Sequence, residues 1–83
     1  MDIEVVVEGV PDAHVTTEIT RALRGVCSRV YRTGRWSVLV APSETRGEWD
    51  LGVRGPFGSH FVSFVTEADR LPALVAEHLR ACL

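Results

Sequence analysis

Eighty-three residues with a net charge of −2 and a pI near 5.8 describe a small, mildly acidic chain, near the low end for a self-sufficient core. A hydrophobic content of 46% against 24% charged residues is that of an ordinary globular domain, and one domain over 1–83 is expected. Met1-Asp2-Ile3-Glu4 is acidic and followed by only three consecutive valines, which argues against a signal peptide, a transmembrane span and any membrane role.

The overall charge offers no general pull toward nucleic acid. All nine cations are Arg, and Lys, Asn and Gln are absent, a bias that points to a GC-rich bacterial genome rather than to a function. Cys27 and Cys82 fit no metal-ligand or redox spacing, so a cytoplasmic protein with reduced thiols is the expectation.

Ile3, Val5 and Val7 alternate with Asp2, Glu4, Val6 and Glu8, the period-two pattern of a half-buried strand. Gly9-Val10-Pro11-Asp12 ends it, and Asp12 can cap a following helix. From Val15 to Tyr31 the apolar positions Val15, Ile19, Ala22, Leu23, Val26 and Val30 form one stripe at helical spacing. Gly25 lies inside that helix and suggests close packing on a strand, and Thr33-Gly34 closes it. Trp36–Ala41 is apolar on both faces, as a central strand would be. After a polar loop over 42–47, a last helix begins near Asp69 with Pro72 in its first turn and a stripe of Leu71, Leu74, Val75, His78, Leu79 and Cys82.

Between loop and last helix, Glu48–Thr66 reads as a β-hairpin. Pro56 presets φ for a turn, and Gly58 suits the left-handed position of a three-residue loop with a bulge. That loop pairs Gly55 with Ser59, Val53 with Phe61, Leu51 with Ser63, and Trp49 with Val65. Phe61 and Val65 then belong to the core face, whereas Val62 and Phe64 point away from it, and His60 lies opposite Arg54.

The order β-α-β-β-β-α predicts an α+β, two-layer sandwich: a four-stranded mixed sheet in order 1-2-3-4 with both helices on one face. The first two strands should be parallel and the rest an antiparallel meander. This order of elements resembles that of ribosome-hibernation factors and, minus the first strand, of double-stranded-RNA-binding domains. The resemblance is one of fold alone, since the chain carries no signature residues of either family.

Three groups of residues suggest chemistry or binding. On the open sheet face, Val6, Leu39, Val62 and Phe64 would form an apolar centre rimmed by Glu4, Glu8, Ser37, Asp50, Arg54 and His60, the make-up of an interaction surface. Two identical chains joined through it would form a symmetric dimer. On the first helix, Thr17, Arg21, Arg24, Ser28 and Arg32 lie opposite the apolar stripe, and between Val15 and Arg35 five Arg face one acid, Glu18. Guanidinium groups so spaced can bracket anions or RNA phosphates, with hydroxyls adding hydrogen bonds. The acidic pI and the absence of Lys and of interleaved aromatics argue against nucleic acid as a partner.

His78 and Cys82, four apart on one helix, can hold a metal, with Cys27 and His60 as further donors, but they read better as packing residues. Asp50, Arg54 and His60 resemble an acid–base set no more than an ordinary cross-strand charge cluster. No catalytic, cofactor or metal residue is therefore assigned. The sequence reads as a small non-catalytic module that binds protein, first of all a second copy of itself, with anion or RNA binding by the first helix as the alternative.

Overall fold

The chain is described by a computed structural model over residues 2–28, 34–56 and 58–82. Its elements are β1 (Asp2–Val7), α1 (Ala13–Cys27), β2 (Arg35–Pro42), β3 (Glu48–Gly55), β4 (Gly58–Val65), a 3-10 turn (Ala68–Arg70) and α2 (Leu71–Cys82). The strands form one sheet in order β1-β2-β3-β4. β1 runs parallel to β2, and the other neighbours are antiparallel, as the crossover helix and the short later connections require.

α1 begins where the side chain of Asp12 accepts a hydrogen bond from the His14 amide at 2.9 Å, satisfying one of the helix's free N–H groups. Its stripe of Ile19, Leu23, Val26 and Cys27 meets Leu71, Val75, Ala76 and Leu79 of α2 over Trp36, Val38, Val40, Trp49, Leu51 and Val53 of the sheet. Within each strand these residues are every second one, and Val38 pairs with Val53 and Val40 with Leu51, so both helices cover a single face. Burying a large apolar side chain there contributes about 1.5–3 kcal/mol. The predicted run of α1 to Tyr31 and its stop at Thr33-Gly34 depend on residues 29–33, outside the described residues.

Two local expectations are corrected. Gly25 is exposed, and a Cβ added to it would meet nothing within 4 Å, so it marks no close approach to a strand. A glycine that a neighbour does require is Gly55, where a Cβ would collide with the six-membered ring of Trp36. The indole ring thus rests on the bare backbone at the end of β3.

The second correction is the hairpin register. Gly55 pairs with Gly58, not Ser59, leaving a two-residue connection of Pro56 and Phe57. Every later pair moves by one: Val53 meets His60, Leu51 meets Val62, and Trp49 meets Phe64. Because side chains alternate, that single step exchanges the faces of β4. Val62 and Phe64 pack against the core, while Phe61 and Val65 are 72% and 77% exposed. The expected inward pair Phe61 and Val65 and the expected outward pair Val62 and Phe64 are interchanged.

Candidate functional site

The outer face of the sheet is built from the strand positions the helices do not cover. Val6 pairs with Leu39, Leu39 with Gly52, and Gly52 with Phe61, so these four form one row across all four strands. Val6 and Leu39 are 38% and 43% exposed, large fractions for apolar residues in a sheet. Gly52 has no side chain to place in the row, and the ring of Phe61 lies beside it, Cδ2 being 3.9 Å from where a Cβ would stand. The result is an apolar depression of about 480 Å³ lined also by Ser37, Arg54 and Ser59. The adjoining row is polar: Glu4, Ser37, Arg54 and Ser59. On the other side Asp50 accepts a 2.7 Å hydrogen bond from the Ser63 hydroxyl.

Of the interface residues expected from sequence, the structure therefore keeps Val6, Leu39, Asp50 and Arg54 on the outer face and removes Val62, Phe64 and His60. Phe64 lies inside, its ring stacked on that of His78 with centroids 4.9 Å apart and planes at 20°. His60 sits opposite Val53, on the inner side of β4, so Asp50, Arg54 and His60 do not come together and Arg54 faces Ser59. Phe61 and Val65 are the outer-face residues that sequence reasoning missed. Serine spacing was the available signal, because Ser59 and Ser63 share their parity and hydroxyls favour the wet side.

His60, His78 and Cys82 line a common cavity of about 280 Å³ between β4 and the end of α2. Cys27 is not among its walls but lies in the core, where burial raises its thiol pKa and the nearby Arg24 guanidinium pulls the other way. Among the described residues no group of three or more His, Cys, Asp and Glu is arranged to hold a metal ion.

The exposed face of α1 presents Thr16, Thr17, Thr20, Arg21 and Arg24 around a shallow groove. The hydroxyls are less available than their spacing suggests. Thr17 donates to the Ala13 carbonyl at 3.0 Å, Thr20 to that of Thr16 at 3.1 Å, and Ser28 to that of Gly25 at 2.9 Å. With its single proton committed, each hydroxyl can accept but not donate to an anion. The guanidinium groups carry the donor capacity. Arg21 is paired with Glu18 at 2.8 Å, an exposed contact of the kind that contributes about 0–1 kcal/mol and yields readily to a stronger partner. Arg24 makes no ion pair among the described residues. Arg32 lies outside the described residues.

Among the described residues no helix is long and apolar enough to cross a membrane. No protein-family model and no curated protein matches the chain. Solved structures do. A ribosomal subunit interface protein from Coxiella burnetii superposes with a TM-score of 0.62 at 13% identity, covering 100% of this chain and 93% of that one. The N-terminal domain of Protein Y from Thermus thermophilus gives 0.55 at 11% identity, with 100% of both chains covered. At such identities the likeness is one of fold, over the whole length. It nevertheless overturns the argument against nucleic acid, because a protein of the ribosomal subunit interface has this architecture. The physical flaw in that argument is averaging: the net charge of −2 hides a run from Arg21 to Arg35 with five Arg and no acid.

Proposed function

We propose that the chain is a small non-catalytic, RNA-associated module of the bacterial cytoplasm that contacts RNA phosphates through the arginine face of α1. The observation that carries this reading is the acid-free arginine run beginning at Arg21, set on a fold also found in a ribosomal subunit interface protein. Guanidinium groups bind phosphate oxygens in a bidentate fork, and an exposed helix face presents them without desolvating the chain's own core. Arg24 is poised for this, and Arg21 needs only to exchange Glu18 for phosphate.

The test is a titration of double-stranded RNA at low salt. Binding is expected to weaken steeply with salt, and each of Arg21→Ala, Arg24→Ala and Arg32→Ala to lower affinity and reduce the log–log salt slope by about 1. No binding at high micromolar protein overturns the reading.

A second reading, protein contact through the outer sheet face, is supported by the row of Val6, Leu39, Gly52 and Phe61. An apolar strip with a polar rim gains by being covered. Leu39→Asp should abolish such contact without disturbing the fold, since Leu39 points away from the helices. Its failure to do so removes this reading.

A further inference from the structure

The two edges of the sheet, β1 and β4, are guarded differently. β1 carries Asp2 and Glu4 and runs into Glu8, and charges on an edge oppose its pairing with another strand. β4 is eight residues long, Gly58-Ser59-His60-Phe61-Val62-Ser63-Phe64-Val65, and contains no Asp, Glu, Lys, Arg or Pro. It has none of the usual devices that keep an edge alone.

The hydrogen-bond phase shows which groups that edge offers. The Thr66 amide donates to the Gly47 carbonyl at 3.1 Å, which continues the β3–β4 ladder by one bonded pair. Bonded pairs alternate along an antiparallel ladder, so Phe64, Val62 and His60 turn their amides and carbonyls toward β3. Ser59, Phe61, Ser63 and Val65 turn theirs to the open side. The same residues that expose backbone groups at the edge carry the side chains of the outer face.

We propose that β4 pairs antiparallel with β4 of a second copy of this chain, about a two-fold axis at Ser63, giving a continuous eight-stranded sheet. This register sets Phe61 opposite the partner's Val65, and Val65 opposite the partner's Phe61. On the inner side Val62 meets the partner's Phe64. The two most exposed large apolar side chains of the described residues therefore cover one another twice. A register centred one residue earlier, on Val62, would waste both on serines, placing Phe61 opposite the partner's Ser63 and Val65 opposite the partner's Ser59. No charged residue lies within the paired strands, so no like charges oppose. The same operation on β1 would bring acidic strands together. The two outer faces become continuous, doubling the apolar row without covering it, and the α1 arginines take no part. The inference thus stands or falls apart from RNA binding.

Sedimentation of the full chain across the micromolar range tests it. Wild type is expected to show a reversible monomer–dimer equilibrium. Phe61→Lys with Val65→Lys opposes Lys to Lys at both contacts and should give a monomer with unchanged circular dichroism and the Tm of wild type diluted to monomer. Phe61→Glu with Val65→Lys opposes Glu to Lys twice and should restore the dimer in a salt-sensitive form. In a Cys82→Ser background, Ser63→Cys should form a covalent dimer under mild oxidation, because directly opposed bonded residues have Cα atoms about 5.5 Å apart, within disulfide reach. Ser59→Cys, far from the axis, should not. A wild-type chain that stays monomeric throughout overturns the proposal. So does a dimer that survives the double Lys change yet is lost in Leu39→Asp, which would indicate face-to-face packing.

Discussion

Phe61 and Phe64 stand three residues apart on β4, each with a valine as companion on its own face. Phe64, with Val62, packs toward the helices against His78, whereas Phe61, with Val65, stands in solvent. The apolar content of the two sides is the same, so hydrophobicity cannot have chosen between them. Their polar neighbours differ. The Phe61 side brings Ser59 and Ser63, and turning it inward would place two hydroxyls beneath the helices at about 1–3 kcal/mol for each one left unbonded. Facing outward, Ser63 has Asp50 at 2.7 Å. The Phe64 side brings only His60, which stays exposed near the turn. In a strand of balanced pattern, the inward face is the one with less polar matter to strand.

The largest test of this contrast is on the inner face that both registers share. Trp49→Ala, at a site 8% exposed, should cost about 3–5 kcal/mol in urea unfolding. A silent change would mean that the whole inner face of β3 has been misassigned. Next comes the paired comparison on β4. Phe64→Ala, half-buried, should cost about 2–3 kcal/mol, somewhat less than a full core aromatic. Phe61→Ala should stay within about 0.5 kcal/mol under conditions where the chain is monomeric. Equal losses at the two positions would erase the distinction between faces.

The smallest effect sharpens the contrast from the helix side. Burial raises the Cys27 pKa, with Arg24 opposing it in part, so the folded chain holds that proton to higher pH than the unfolded chain does. The associated stability is fully present at neutral pH and declines once the pH passes about 8.5, the ordinary thiol value, toward the raised one. Denaturation midpoints of wild type and Cys27→Ala should therefore run parallel at neutral pH and converge above it. Continued parallel behaviour to high pH would show that the thiol is not held in the core.

Much of the architecture was legible in the sequence. The α1 stripe, the Asp12 cap, the sheet order, the parallel β1–β2 pair and the inward set of Trp36, Val38, Val40, Trp49, Leu51 and Val53 follow from periodicity and connection length alone. The binding surfaces were legible only in part. Phe-Val-Ser-Phe-Val places one Phe and one Val on each side of a strand, so its pattern fixes a strand but no face, and the loop had to decide. Gly58 suggested a bulge, yet it serves as the first residue of β4, and one residue of loop length moved every side chain from Ser59 to Val65 to the other side of the sheet. On α1 the arginines were visible, but the return of each hydroxyl to its own helix carbonyl was not, because that depends on side-chain rotation rather than spacing.

The parallel pairing of β1 with β2 also bears on the order in which the molecule assembles and comes apart. Gly55 reaches Gly58 across two residues, whereas Val6 reaches Leu39 only after the chain has run through all of α1. Each doubling of a closed loop costs about 0.6 kcal/mol in chain entropy, and pairings between distant positions form late. β1 has no fully buried side chain among Ile3–Val7 to offset that cost. The meander β2-β3-β4 is thus the part that can form early, with β1 closing over it last. In amide exchange the hydrogens of β1 should be lost before those of β2 and β3, and simultaneous loss would show that the sheet opens as one unit.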